Sequence, residues 1–142
     1  HLRRAAQATE APWLHREIAR RMAERLALIR MQPTAVLDWW GALGGSRALL
    51  QAQYPAARIE AVEPSAALAA RSTREARAPW WSPRRWRADG PGAWTEATLP
   101  PGPRAQLLWS NLMLHWTPDP ALLFMRWQAA LEVDGFVMIS AF

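Results

Sequence analysis

The chain is predicted to fold as an α/β domain, a doubly wound parallel sheet of about five strands with helices on both faces. Two observations predict it. Ala35 to Trp39, Arg58 to Glu63, Ala105 to Trp109 and Gly135 to Phe142 are short, largely apolar runs, as strands buried on both sides require. Between and before them lie stretches with helical spacing, and such alternation implies right-handed crossovers.

From about Thr9 to Met31, Leu14, Ile18, Met22, Leu26 and Ile29 recur at spacings of three and four, so an amphipathic helix is expected, ended by Gln32-Pro33-Thr34. Ala35 to Trp39 reads as the first strand. Gly44 to Tyr54 reads as a helix that starts after glycines and stops before Pro55. Arg58 to Glu63 is the second strand, and Pro64-Ser65 opens a helix through about Ala76. Arg85 to Ala88 is assigned to a third, edge strand, and Ala88 to Arg104, rich in proline and glycine, to loop. Ala105 to Trp109 is the fourth strand, with Ser110-Asn111 as the loop after it. Pro118 to Leu131 is a helix with proline in its first turn, and Gly135 to Phe142 is the fifth strand.

All of this fits one domain over residues 1–142, with a helical segment at 1–32 and an α/β core at 33–142. The chain begins at His1, not Met, and stops at Phe142 inside an apolar run; it is read as a fragment whose last strands are missing. With 51% hydrophobic and 20% charged residues it reads as a globular chain, not a disordered one. No apolar run reaches the roughly 20 residues of a membrane span, so a cytoplasmic location is expected. The absence of cysteine excludes disulfides and thiolate metal sites, and His1, His15 and His115 have no metal-ligand spacing; no metal is expected. Every basic residue is arginine, and the net charge of +5 favours acidic partners.

Open sheets of this kind bind ligands at the carboxyl ends of their strands. The residues there are Asp38 to Gly45, Glu63, Asp89, and Ser110 to Trp116. In that order they resemble the class I S-adenosylmethionine (SAM) methyltransferases, with their Rossmann-like sheet. The resemblance rests on Asp38 with Gly41, Gly44 and Gly45 after the first strand, Glu63 in AVEPS, Asp89 in RADG, and Ser110-Asn111 in LLWSNLMLHWTPDP. SNLMLHW together with REIARRM is most similar to the malonyl-[acyl-carrier protein] O-methyltransferases of biotin synthesis.

The resemblance implies SAM as cofactor, bound by Asp38, Gly41, Gly44, Gly45, Glu63, Asp89 and Ser110. A carboxylate at the end of the second strand can accept from both ribose hydroxyls, the role of Glu63, whose alternative is to cap the following helix. Asp89 could accept from an adenine amino group or simply form an Asp-Gly turn. Asn111 and His115 lie where the methyl acceptor would sit. An ionised carboxylate acceptor needs alignment and dryness more than a base, so His115 is read as orienting it or as packing on Trp116.

The resemblance implies a carboxyl O-methyltransferase whose partner is a malonyl-acyl carrier protein or a small carboxylate. The family loop usually runs acid-x-Gly-x-Gly-x-Gly, and here Trp40 and Ala42 occupy the first two glycine positions. Three arrangements stay open: a shifted frame using Gly41, Gly44 and Gly45, an adenosine stacked on Trp40, or indoles filling the site. The last would leave a binding or scaffold module with a methyltransferase fold. The segment PWWSPRRWR, residues 79–87, interleaves arginine and tryptophan in a manner suited to single-stranded nucleic acid or to an acidic carrier protein. The segment after the fourth strand lacks the Asn/Asp-Pro-Pro-aromatic signature of nucleic-acid amino methyltransferases, which favours the carrier protein.

Overall fold

The computed structural model describes residues 12–76, 81 and 92–141. Five parallel strands form one sheet in the order β3-β2-β1-β4-β5: β1 (Ala35–Trp39), β2 (Arg58–Glu63), β3 (Ala93–Thr95), β4 (Ala105–Asn111) and β5 (Leu131–Ser140). The chain leaves β1 toward β3 on one side and returns through β4 on the other, which sets the reversal of strand order between β1 and β4.

Two apolar layers cover the sheet. On one face α1 (Trp13–Leu26) and α3 (Arg47–Gln53) bring Ala19, Met22, Leu26 and Leu50 against Val36, Ile59, Leu107 and Trp109. On the other, α5 (Pro120–Ala130) packs Leu123, Trp127 and Ala130 on Leu37, Trp39, Val62 and Leu108. The pleat accounts for the division, since neighbouring strand residues face opposite sides. A one-turn helix α2 (Gly41–Gly44) follows β1, and α4 (Ala66–Ala76) packs on β2 and β3.

Several boundaries correct the sequence reading. Helix α1 ends at Leu26, short of Met31, because Leu28 and Ile29 donate to Arg25 and Leu26 three residues back and tighten the chain into turns. The helix expected over Gly44 to Tyr54 starts only at Arg47, as α3; Gly44 belongs to a separate, earlier piece, so the region holds two helices, α2 and α3. Gly45, at φ 66°, caps the first by donating to Gly41 O, and its left-handed conformation prevents continuation. Strand β3 lies inside the segment expected to be loop. It forms because Ala93 to Thr95 pair with Ala61 to Glu63, while the Trp94 indole donates to the buried carboxylate of Glu60 at 2.5 Å. The strand expected at Arg85 to Ala88 lies outside the described residues, as does most of the arginine and tryptophan segment.

Ser110 and Asn111, expected in a loop, are the last residues of β4, because β5 pairs with both and β1 with Ser110. Helix α5 has Pro120 in its first turn as expected, capped by Asp119, whose side chain accepts from Leu122 N. It runs straight into β5, which begins at Leu131 instead of Gly135. A bulge at Asp134 (φ 65°) and Gly135 brings the two parts of that strand into register; a Cβ on Gly135 would sit 2.8 Å from Glu132 O. Phe124, Val137 and Ile139 are exposed on this side and line, with Trp127, Gln128 and Leu131, a shallow groove of about 400 Å³.

Candidate functional site

At the reversal of strand order, the carboxyl ends of β1, β2 and β4 lie side by side. The pleat turns Asp38 to the face of Val36, and Glu63 to the face of Ile59, so both carboxylates lie under the layer of α1 and α3. Both are fully buried. Burial pushes the Asp38 carboxyl up to about 7, opposed by the positive charge of Arg47. Burial likewise pushes Glu63 up to about 8; hydrogen bonds from Ser72 and Ala42 hold it down, Asp38 raises it further, and Arg47 opposes.

Each carboxyl has a buried oxygen with no hydrogen-bond partner. Glu63 Oε1 accepts from Ala42 N at 2.8 Å and from Ser72 Oγ at 2.7 Å, whereas Oε2 is buried with no hydrogen-bond partner. Asp38 Oδ1 is buried in the same condition. The helix-cap alternative for Glu63 is not what forms, because Leu68 N donates to Ser65 Oγ at the start of α4.

Trp40 makes the turn between β1 and α2. It adopts the left-handed conformation (φ 59°, ψ 44°), which costs an aromatic residue roughly 1–3 kcal/mol. Its N–H donates to Val62 O at 2.6 Å, and its carbonyl accepts from Leu43 and Gly44. The backbone conformation that a glycine would supply is therefore present at tryptophan. Its indole is buried in the core on the α5 side with Trp39, Met113 and Trp127, and Nε1 donates to Glu96 Oε1 at 3.0 Å. Asp38 and Glu63 occupy the other face, so the indole packs away from the carboxylates.

The glycines serve internal packing as well. A Cβ on Gly41 would stand 2.5 Å from Asp38 Oδ2, so only glycine lets the turn pass over that carboxyl. A Cβ on Gly44 would stand 3.3 Å from Asn111 Cβ.

Asn111 is buried at the end of β4 with its side chain engaged on three sides. Nδ2 donates to His15 O at 2.7 Å and to Gly44 O at 2.9 Å, and Oδ1 accepts from Ser140 Oγ at 2.8 Å. It ties α1, the glycine turn and β5 together. Ser110 is buried beside it, between Trp39 of β1 and Ile139 of β5. His115 stands further out, exposed in a 3₁₀ turn (Leu114–Trp116), its ring tilted against Trp116 at 4.8 Å between centroids. The structure thus brings together Asp38, Gly41, Gly44, Gly45, Glu63, Ser110 and Asn111; Asp89 lies outside the described residues.

Sequence reasoning missed four participants. Ser72, nearly two helical turns into α4, reaches Glu63; Ser140 reaches Asn111; Glu96 holds Trp40. His15 is the fourth: its imidazole is held below its usual range by burial and then by nearby His115, and its Nδ1 is buried without a partner. Only Ser72 left a signal, as a polar residue among the buried positions of an amphipathic helix.

No protein-family profile matches the chain. Comparison with curated proteins finds the malonyl-[acyl-carrier protein] O-methyltransferase of Laribacter hongkongensis (strain HLHK9), 34% identical over 97% of this chain and 47% of the relative. The proteins of the same name from Gallionella capsiferriformans (strain ES-2) and Halorhodospira halophila (strain DSM 244 / SL1) are 31% and 34% identical over 96% and 94% of this chain. By sequence the chain is similar to these malonyl-[acyl-carrier protein] O-methyltransferases. It spans about half the length of the curated methyltransferases it matches. Among solved structures, coclaurine N-methyltransferase bound to N-methylheliamine and SAH superimposes with a TM-score of 0.61 at 16% identity, over 88% of this chain and 34% of that one. That likeness shows the fold, the Rossmann-like α/β sheet of the class I methyltransferases. Among the described residues, no His, Asp and Glu cluster could hold a metal ion and no helix is long and apolar enough to cross a membrane.

Proposed function

We propose that the protein is a cytoplasmic SAM-dependent O-methyltransferase acting on a carboxylate, that of a malonyl thioester on an acyl carrier protein. One observation carries the cofactor reading. Two buried carboxyls, Asp38 and Glu63, end adjacent strands beneath a glycine turn, each with one oxygen that has no donor. A buried acceptor without a donor is costly, and a ligand rich in hydroxyl and ammonium groups satisfies it. SAM has both, so these residues fit it. Glu63 Oε2 would take a ribose hydroxyl, Asp38 Oδ1 a donor nearer the methionine part, and the Gly41–Gly44 turn would lie along the ligand.

The cofactor supplies a methyl group on a positively charged sulfur. An acceptor carboxylate already carries the electron pair that a new O–CH₃ bond would need, so the chain would have no proton to move. The chain's part is alignment. Asn111 holds the glycine turn to β4, and His115, exposed just beyond, orients the acceptor carboxylate by hydrogen bonding or charge. The names of the relatives support the carrier-protein substrate. An arginine-rich chain of net charge +5 suits an acidic carrier.

A second reading keeps the fold as a binding module. The complete burial of Asp38 and Glu63 under the glycine turn favours it, because the packing over them must open before a ligand reaches Glu63 Oε2 or Asp38 Oδ1. Calorimetric titration of SAM into the protein, alongside a Glu63→Ala variant, separates the two. Micromolar binding abolished by Glu63→Ala supports the methyltransferase; absence of binding in the parent sinks it.

A further inference from the structure

Trp40 stands where the turn demands a left-handed backbone, and three elements converge to hold it there. Its indole Nε1 donates to Glu96 Oε1 at 3.0 Å, just after β3, and Glu96 Oε2 accepts from Arg126 Nη1 of α5 at 2.8 Å. Arg126 precedes Trp127, which packs in the same buried cluster as Trp40. Trp40 therefore has its backbone bonded to Val62 at the end of β2 and its side chain bonded to a carboxylate anchored on α5.

The position of α2 depends on this residue. The Trp40 carbonyl accepts from Leu43 and Gly44 and so nucleates the turn. The turn in turn aims Ala42 N at Glu63 Oε1 and Gly44 O at Asn111 Nδ2. Relaxation of Trp40 to an ordinary φ would move these groups together. A left-handed non-glycine residue persists only where its surroundings over-determine it, and the indole bond and the buried cluster supply that determination.

We propose that Glu96 is a positioning residue for the glycine turn, acting through the Trp40 indole and backed by Arg126. This clamp does by side-chain anchoring what a glycine would do by conformational freedom. The proposal rests on the reading that the turn and Glu63 serve SAM, but the order of the turn can be measured without ligand.

The test is hydrogen exchange of the peptide covering residues 40–45 in the ligand-free protein, with titration of S-adenosylhomocysteine as a second readout. Variants are Glu96→Ala, Glu96→Gln, Trp40→Phe and the Glu96→Ala/Trp40→Phe double. The clamp predicts that Glu96→Ala and Trp40→Phe each speed exchange of the turn about 5-fold or more while β1 and β4 peptides are unchanged. The double variant should add little to either single one, because both remove the same bond. Glu96→Gln, whose side-chain carbonyl still accepts the indole N–H, should recover most of the protection. Ligand affinity should fall about 5-fold in Glu96→Ala and less in Glu96→Gln.

Unchanged turn exchange in Glu96→Ala overturns the proposal, as do additive effects in the double variant or a uniform rise across the sheet. Should Glu96→Ala fail to fold, Trp40→Phe decides alone, and unchanged turn exchange there overturns it. A parent that binds no ligand would sink the methyltransferase reading, while the exchange data would still decide the clamp.

Discussion

Asn111 and Gly44, 67 residues apart in sequence, are joined by a 2.9 Å hydrogen bond from side-chain amide to backbone carbonyl, and the same nitrogen reaches His15 O at 2.7 Å. One side chain at the end of β4 thus fixes both the glycine turn and the N-terminal helix. Asn111→Ala leaves two backbone carbonyls and the Ser140 hydroxyl without this partner. The expected loss is roughly 2 kcal/mol or more, or several degrees in melting temperature. A melting temperature within about a degree of the parent would show that the network is not needed for the fold.

Gly41 passes so close to Asp38 that a methyl group there would stand 2.5 Å from Oδ2. Since the carboxyl is buried, it has little room to give way. Gly41→Ala is expected to destabilise by about 1–3 kcal/mol and to weaken SAM binding, whereas Gly44→Ala, with its nearest neighbour at 3.3 Å, should do less. Denaturant titration and calorimetry on the two variants would check the order; equal or reversed effects would refute it.

Stability should fall as pH rises through neutrality. Asp38, near 7, and Glu63, near 8, are raised in the folded state above their ordinary values of 3.8 and 4.5. Between about pH 4 and 8 the native state holds protons that the unfolded chain has released, so raising the pH favours unfolding. Urea melts at pH 5 and pH 8 should show the loss, and an Asp38→Asn/Glu63→Gln variant should show much less. Equal slopes for parent and variant would remove these two carboxyls as the cause.

Replacing Trp40 by glycine has two opposed effects. Roughly 1–3 kcal/mol of backbone strain is relieved, while loss of a buried indole from the core costs about 3–5 kcal/mol. The net expectation is destabilisation, with no gain in SAM affinity, because the indole does not lie on the side of Asp38 and Glu63. Tighter binding by Trp40→Gly would reverse that assignment.

His115 is expected to act on the acceptor alone. In the whole protein, His115→Ala should raise KM for the malonyl carrier several-fold and leave SAM affinity within about 2-fold. A matching loss of SAM affinity would place the residue in the cofactor site instead.

The alternation of apolar runs at Ala35, Arg58, Ala105 and Gly135 with helical spacing was enough to read a parallel α/β sheet and to place Asp38 and Glu63 at strand ends. That information is local: strand and helix periods and the glycine and proline boundaries are written in consecutive residues. The short strand β3 was not legible, because Ala93 to Thr95 is held by pairing with β2 and by the bond from Trp94 to buried Glu60, both distant in sequence.

Consecutive residues were sufficient for the fold class, the resemblance to the malonyl-[acyl-carrier protein] O-methyltransferases, and the residue types at the site. How a tryptophan stands in a glycine's place was set by contacts between distant parts of the chain. The competing possibilities for Trp40 differ in which face of the sheet receives the indole, and that depends on Glu96 and Arg126, 56 and 86 positions further along the chain. A side chain's rotamer is set by the partners that surround it after folding, and no spacing within the loop encodes them.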